Sequence, residues 1–315
     1  MKHSCPDVKC PSRHLPGPDS EHVIRFGTFF RKSDSRHIDR FRCQICKATF
    51  SKSTLLPNYR QKVRRITHPL EELLCSGVSQ RRSAMLLGVA RTTISRRVRY
   101  LGARARRSNQ KHLRPLEQNP AVEVQFDDLE THEHTKCKPL SVSLVVQSQT
   151  RKILGFTVSR MPAKGRLSKI ALEKYGPRPD ERQAGWRELL SLVQSYVSPS
   201  ATITSDDNPH YPKVVERHFP DATHVTVKGG RGAITGQGEL KKLKYDPIFS
   251  LNHTCAMLRA NLNRLFRRTW CTTKTIQGLI DHLSIYVAFH NRRLTSFGPD
   301  QTTDCSAQAT AITAS

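Results

Sequence analysis

Acidic residues are scarce in this 315-residue chain. Aspartate and glutamate together number 26 against 52 lysines and arginines, so the formal net charge is +26, and the isoelectric point is about 10.2. No acidic residue occurs between Glu72 and Glu117. A chain this basic repels cations and has the electrostatic footprint of a protein that binds nucleic acid.

Long hydrophobic runs are also absent. No apolar stretch approaches the roughly 18 residues that a membrane-spanning helix needs, and no apolar segment of the signal-peptide type follows Met1. We therefore expect a soluble, cytoplasmic protein with no membrane partner. The 9 cysteines agree with that compartment, because their pattern indicates metal ligation rather than a disulfide framework. Five of them lie singly: Cys75, Cys137, Cys255, Cys271 and Cys305.

The other four cysteines form two close pairs and predict a zinc ribbon over residues 1–55. The second pair has the two-residue spacing of a zinc knuckle, whereas the first has a wider gap, which leaves His3 and His14 as alternative ligands. Thiolates from two tight turns can close a tetrahedral zinc site, and so small a module lacks the core to fold without one. Unligated thiols in a disordered arm are the competing interpretation. The predicted ligands are Cys5, Cys10, Cys43 and Cys46.

Residues 60–112 predict an all-α module with a helix-turn-helix. Leucines at helical spacing start it, Ser79 caps a second helix that Gly88 ends, and Thr92 or Thr93 opens a third. In this pattern the last helix enters the groove of DNA. A solvated basic face on a structural helix pair is the alternative. The residues expected on the exposed face of the third helix are Arg91, Ser95, Arg96, Arg97 and Arg99.

Residues 113–120 resemble a linker, and from residue 121 the pattern becomes that of strands. Two alternating apolar stretches run straight into paired aspartates, Asp127-Asp128 and Asp206-Asp207, so each pair is predicted at a strand end. Carboxylates so placed in a basic protein suggest sites for divalent metal. Next to phosphodiesters, such sites suggest phosphoryl transfer.

The predicted order after residue 121 is β-β-β-α-β-α-β-α-α, with the first three strands as a meander. This order, with acids at the ends of the first and fourth strands, matches an RNase H-like α/β domain with a mixed five-stranded sheet over residues 121–295. Residues 296–315 are small and polar and predict a disordered tail. The later elements are expected at 181–197 (helix), 201–205 (strand), 211–218 (helix), 223–227 (strand), 247–268 and 275–291 (helices).

An ordered series of motifs carries a family resemblance across residues 5–292. It comprises Cys43-x2-Cys46, Gly77-Val-Ser-Gln-Arg-Arg-Ser-Ala84, Asp127-Asp-Leu-Glu130, Ser205-Asp-Asp-Asn-Pro-His-Tyr211 and Leu258-Arg-Ala-Asn-Leu-Asn-Arg-Leu265. The chain resembles a bacterial insertion-sequence transposase of the DDE class, of the compact type with a zinc ribbon, a helix-turn-helix and an RNase H-like catalytic domain. The resemblance implies metal-dependent cleavage and joining of DNA strands at transposon ends.

The resemblance also implies two Mg²⁺ or Mn²⁺ ions held by three acidic side chains. Asp127 matches the first acid and Asp206 the second, and their neighbours Asp128 and Asp207 are the alternates. The third acid, a glutamate in the family, falls on Asn252, whose amide oxygen can coordinate Mg²⁺ but adds no charge. The alternate for the third position is Glu239.

The implied partners are double-stranded DNA, as transposon ends and as target, and further copies of the chain assembled on DNA, associated with the bacterial nucleoid. A catalytically decayed DNA-binding or repressor protein is the alternative from another class. Further basic residues expected on DNA are Arg81, Arg82, Arg259, Arg264, Arg267 and Lys274.

Overall fold

The structure, a computed structural model, describes residues 4–13, 22–32, 35–56, 58–59, 61, 63–228, 234–235, 242–243, 246–266 and 269–296. The chain divides into two compact units, Met1–Ile66 and Thr67–Ser315. In the described part, no helix is both long enough and apolar enough to cross a membrane. The predictions made for His3, His14, Glu239, Arg267 and the tail beyond Ser296 lie outside the described residues.

The first unit contains a three-stranded antiparallel sheet of β1 (Val23–Arg31), β2 (Arg36–Cys43) and β3 (Thr49–Ser51), in that order. The register of β1 against β2 shifts between Arg25 and Thr28, where Gly27 has φ 73°. Such a bulge places an extra residue in one strand and twists it locally. Few apolar side chains are buried in this unit, so the sheet has little core behind it.

The second unit begins with three helices: α1 (Thr67–Leu74), α2 (Gln80–Leu86) and α3 (Arg91–Leu113). The Ser79 side chain accepts a hydrogen bond from the backbone N–H of Arg82 (3.2 Å), as expected for the predicted cap. Gly88 follows α2 as predicted. Its φ of 61° is a conformation that glycine adopts without strain. The third helix is much longer than its apolar spacing indicated, and α4 (Pro115–Gln118) occupies the predicted linker.

Helix α3 packs against α9 (Ile276–Ser296) at a close crossing. A Cβ at Gly102 would lie 2.7 Å from Asp281 Oδ1 and 2.9 Å from its Cα, so only glycine allows this approach. Two buried acids carry ion pairs across the helices: Asp281 accepts from Arg106 (2.9 Å), and Glu71 accepts from Arg104 and Arg292. These contacts place the helical module in the same compact unit as the α/β part, where the sequence predicted a linker.

The α/β part contains a mixed five-stranded sheet, as predicted. Its strands are β4 (Ala121–His132), β5 (Pro139–Gln147), β6 (Ile153–Arg160), β7 (Val197–Asp206) and β8 (Thr223–Val227), in the order β6-β5-β4-β7-β8. The predicted meander of β4, β5 and β6 is confirmed, and β7 pairs in parallel with both β4 and β8. Two short pairs of residues, β9 (Ile234–Thr235) and β10 (Lys242–Leu243), form a separate ladder.

Helices lie on both sides of the sheet. The helices between β6 and α9 are α5 (Leu167–Tyr175), α6 (Arg182–Val193), α7 (Tyr211–His218) and α8 (Phe249–Asn261). Of these, α5 was not predicted. On one face, Phe126 of β4 packs in a buried cluster with Trp186 of α6 and Tyr211 of α7. On the other face, the side chain of Gln125 is bonded to the start of α8.

Candidate functional site

The structure brings Asp127 and Asp206 side by side. Strands β4 and β7 are parallel, with Phe126 opposite Ser205, so the next residue of each strand is an aspartate on the same face of the sheet. Adjacent strands lie about 4.8 Å apart, which places two carboxylates within range of one cation. Asp206 ends β7 as predicted, but the prediction that the first strand ends at Asp127 is wrong, because β4 continues to His132 with antiparallel pairing to β5.

These two carboxylates have few partners that favour their charge. Burial, and then the negative charge of Asp206, raises the pKa of Asp127 to about 7, although the Tyr211 hydroxyl donates to its Oδ1 at 3.4 Å. Burial and the charges of Asp128 and Asp207 likewise raise the pKa of Asp206. The buried Asp206 Oδ1 meets no hydrogen-bond donor in the described part of the chain. A divalent cation would favour the ionised forms of both groups and satisfy that oxygen.

Asp128 points to the opposite face of β4. Its Oδ1 accepts a hydrogen bond from the Ser143 hydroxyl at 2.5 Å, and its Oδ2 accepts one from the Trp186 indole N–H at 3.0 Å. The carboxylate therefore anchors the tryptophan of α6 beneath the sheet. Asp207 follows the end of β7 and is exposed. Of the four aspartates, Asp127 and Asp206 are the two that the register pairs.

Helix α8 crosses this face at a fixed position. The Gln125 side chain accepts from the backbone N–H of Leu251 (2.8 Å) and donates to the carbonyl of Pro247 (3.1 Å). Gln125 is buried and lies two residues before Asp127, hence on the same face of β4. This bidentate amide therefore sets which residues of the helix face the carboxylates.

Cys255 of α8 lies near enough to Asp127 for the charge of that carboxylate to act on its thiol. This cysteine lies one helical turn beyond Leu251, and burial, together with the charge of Asp127, raises the pKa of its thiol to about 12. Asn252, the residue favoured by the family motif, is exposed and donates its amide to Asp246 Oδ2 at 2.9 Å, at the start of the helix. A neutral thiol, not a third carboxylate, therefore accompanies the aspartates in the described part of the chain.

Sequence reasoning classed Cys255 among the isolated cysteines and passed over Gln125. The signal that could have found them is periodicity: Leu251 and Cys255 are four residues apart on one helical face, and Gln125 and Asp127 are two apart on one strand face. Glu239, the alternate for the third position, lies outside the described residues.

The four predicted zinc ligands converge in the first unit. Their sulfur atoms all lie within 4.8 Å of one another, with 3.5 Å between Cys5 and Cys46 and 3.7 Å between Cys10 and Cys43. Tetrahedral zinc with Zn–S bonds of about 2.3 Å would place its sulfurs about 3.8 Å apart, so the cluster fits that ion. Among the described residues this is the one group of three or more cysteine, histidine or acidic side chains that could hold a metal.

The local backbone of the second cysteine pair forms a tight turn after β2. The N–H of Cys43 donates to the carbonyl of Ala48 (3.0 Å), and Lys47 adopts φ 61°. Burial opposes ionisation of Cys43, but hydrogen bonds from the backbone N–H of Cys46 and from the Ser12 hydroxyl outweigh it and lower the pKa of Cys43 to about 6. Thiolate is the form that binds zinc, so this turn prepares a ligand.

The exposed face of the helical module keeps most of its predicted basic residues. Arg97 is the exception: it is 4% exposed and donates to the Thr67 hydroxyl at 2.6 Å, so its prediction as an exposed residue is wrong. It occupies a position that faces α1, which the apolar spacing did not reveal. The residues that are exposed as predicted are Arg81, Arg82, Arg91, Ser95, Arg96 and Arg99.

The basic residues of α8 and of the segment after it are divided between surface and interior. Lys274 is exposed, and Arg259 is half-buried on the side of α8 that bears Cys255, whose thiolate its charge would favour. Arg264 is half-buried beside α9, where burial lowers the pKa of its guanidinium. Of the basic residues expected on DNA in this part of the chain, Lys274 is therefore exposed and Arg259 is partly accessible.

Comparison of the chain with known protein families, with curated proteins and with solved structures found no match.

Proposed function

We propose that this protein is a DDE-class DNA transposase with an RNase H-like catalytic domain, which cleaves and joins DNA strands at transposon ends. The observation that carries the proposal is the register of β4 and β7, which sets Asp127 beside Asp206 on one face of the sheet. Two adjacent carboxylates within a chain of net charge +26 suit a divalent ion that meets phosphodiesters.

Asp127 and Asp206 are the residues that would hold Mg²⁺ or Mn²⁺. The bound ions would supply charge stabilisation at the phosphate and help to form the attacking hydroxyl. The protein contributes the arrangement: Tyr211 hydrogen-bonds Asp127, and Gln125 fixes α8 over the same face. The raised pKa of each carboxyl gives the metal-free site a partly neutral form, so metal and protons compete for it.

The helical module supports DNA as the substrate. α2 and α3 expose a run of arginines with no acid between Glu72 and Glu117, and α3 is held rigidly to α9 through Gly102. Lys and Arg side chains on such a face neutralise phosphates and position a protein on the duplex. We place duplex DNA on this face and the scissile strand at Asp127 and Asp206.

The experiment that tests the proposal is a nicking assay with the purified, zinc-loaded chain. The substrate is a duplex that carries the ends of the element that encodes the protein, incubated with Mg²⁺ or Mn²⁺. We expect nicks at the element ends that depend on the metal. Failure to nick that duplex with either metal, in protein that still binds it, would contradict the proposal.

One observation favours a second candidate, a DNA-binding repressor descended from a transposase. In the described part of the chain, no third carboxylate joins Asp127 and Asp206 in a group that could hold a metal, and the thiol whose pKa the charge of Asp127 raises is that of Cys255. With a pKa of about 12 this thiol is neutral at physiological pH, so the site has less negative charge for a hard cation such as Mg²⁺. Such a repressor would bind DNA but would not cleave or join DNA strands.

Replacement of Cys255 by glutamate is expected to strengthen use of Mg²⁺. The new carboxylate would stand beside Asp127, and the Mg²⁺ concentration for half-maximal nicking should fall about tenfold, because affinity follows the charge count of the ligands. The control is Cys255→Gln, which has the same size without the charge and should show no such gain. Equal Mg²⁺ dependence of the two variants would mean that Cys255 does not face the metal.

A further inference from the structure

The sheet of the first unit has two different faces. Register partners lie on the same face, so Arg42 lies with Ile24, and Ile38 with Phe29. Arg40 and Arg42 both lie over the Phe26 ring, at 5.6 and 5.1 Å from its centroid, which places Phe26 on this face too. The pairs Phe41–Phe50, Phe30–His37 and Arg25–Asp39 belong to the other face.

The first of these faces, here called the Phe26 face, combines exposed aromatic rings with arginines, and none of its described residues is acidic. Phe26 is 41% exposed and Phe29 is 39% exposed. The one described acid of β1 and β2, Asp39, is paired with Arg25 on the opposite face. The arginines that the register assigns to the Phe26 face are Arg31, Arg36, Arg40 and Arg42.

A groove of about 1020 Å³ adjoins this face. It is lined by Phe29, Arg31, Arg40, Tyr59, Arg64 and Arg65, among other residues, and none of its lining residues is acidic. Aromatic rings and cationic side chains are therefore close together on one surface of the first unit. The four clustered cysteines are not among the residues that line the groove.

We propose that the Phe26 face and its groove bind an unpaired nucleic-acid strand. Bases stack on Phe26 and Phe29, and the arginines contact the phosphates. Stacking needs bases that are not enclosed in a duplex, and every base offers a π-face, so binding by this surface has little sequence preference. The cation–π contacts of Arg40 and Arg42 hold the Phe26 ring in place before the strand arrives.

The charge of the Phe26 face favours a nucleic-acid strand over a second copy of the chain as its occupant. A copy docked through the same face would bring arginines against arginines, whereas a strand brings one phosphate per nucleotide. Duplex DNA matches the charge but keeps its bases away from the rings, and α3 already offers an arginine face for it. The inference does not depend on phosphoryl transfer, so failure of the nicking assay leaves it standing.

The test measures fluorescence anisotropy of labelled oligothymidylate DNA and oligouridylate RNA with the full, zinc-loaded chain. The double variant Phe26→Ala, Phe29→Ala is expected to bind the oligonucleotide about tenfold more weakly or worse, because each stacked base contributes. The matched control is Phe30→Ala, which removes a ring that is 52% exposed on the opposite face of the same strand and should leave affinity within about twofold. Zinc content of one per chain in every variant verifies the fold.

Each further outcome is decisive. Recovery of binding by Phe26→Tyr, Phe29→Tyr supports stacking, and a preference between the DNA and RNA oligonucleotides identifies the natural strand. Duplex affinity should be unchanged in the double alanine variant. Three results would overturn the proposal. The first is an equal loss of affinity in the double variant and in Phe30→Ala, and the second is a loss of duplex affinity as large as the loss for the single strand. The third is self-association of the chain through this face that the double variant abolishes.

Discussion

Replacement of Asp127 by asparagine lowers the metal-dependent nicking rate by about a thousandfold or more. The amide keeps the size of the side chain and can still accept from the Tyr211 hydroxyl, so the fold should survive. It removes one of the two negative charges that the β4–β7 register brings together. A thousandfold loss corresponds to about 4 kcal/mol of transition-state stabilisation, within what bound metal supplies. The measurement is the single-turnover nicking rate on the end-containing duplex.

The chain offers a matched control next to the second carboxylate. Asp207→Asn removes a charge that is exposed beyond the end of β7 and should leave the rate within about twofold, whereas Asp206→Asn should match the loss at Asp127. Duplex affinity should be equal in all three variants, because the exposed arginines of α2 and α3 are untouched. If Asp127→Asn nicks as fast as the parent chain, the site assigned here is not the catalytic one.

Local pattern predicted the parts of this fold in which one face of an element is buried. The alternation around Val124 and Phe126 requires a strand with one face in a core, and the strand is there, packed on Trp186 and Tyr211. The cysteine spacing predicted convergence of the sulfurs for a similar reason: two tight turns leave the thiols few other places to go. In both cases the signal is a short local pattern, although the cysteines that meet are 33 to 41 residues apart in the chain.

The candidate site depends more on tertiary contacts, so its residues could be predicted from the sequence less well than the strands and the cysteine cluster. The choice between Asn252 and Cys255 as the residue beside Asp127 is set by the bidentate amide of Gln125, 122 residues before its acceptor at Pro247. Arg97 looks the same as Arg96 in the sequence, yet it is buried and donates to the Thr67 hydroxyl of α1. Such outcomes depend on which helix packs on which, and hydrophobic spacing within one helix does not encode that.

The length of α3 shows the same limit. Beyond Leu101 the sequence is rich in arginine, and its apolar spacing fades. The helix continues to Leu113, and acids of two other helices pair with its arginines: Asp281 of α9 pairs with Arg106, and Glu71 of α1 is shared between Arg104 and Arg292 of α9. Buried acids of this kind are paired wherever they occur, since an unpaired charge in the interior is costly. Arg104 and Arg106, in the part of the sequence without acidic residues, therefore help to hold the second unit together.

Removal of zinc is expected to unfold the first unit and leave the second folded. Apart from the cysteines, the buried apolar side chains among the described residues of the first unit are Phe50 and Ile66. Two such residues contribute about 3–6 kcal/mol, whereas zinc bound by four thiolates contributes about 10–16 kcal/mol to folding in small modules. Cys43→Ser should reduce zinc to well below one per chain and expose the β1–β3 sheet to protease.

Cys271→Ser provides the comparison, since it removes an exposed thiol that takes no part in the cluster. That variant should retain its zinc and its protease resistance. In Cys43→Ser, the thermal transition of the second unit should persist, because its core of Phe126, Trp186 and Tyr211 contains no zinc ligand. The affinity of this variant for oligothymidylate should decrease, because the β1–β3 sheet is unfolded. Its affinity for duplex DNA should not change, because α3 stays folded. A chain that contains no zinc when purified and still protects β1–β3 would show that the thiols are not ligands.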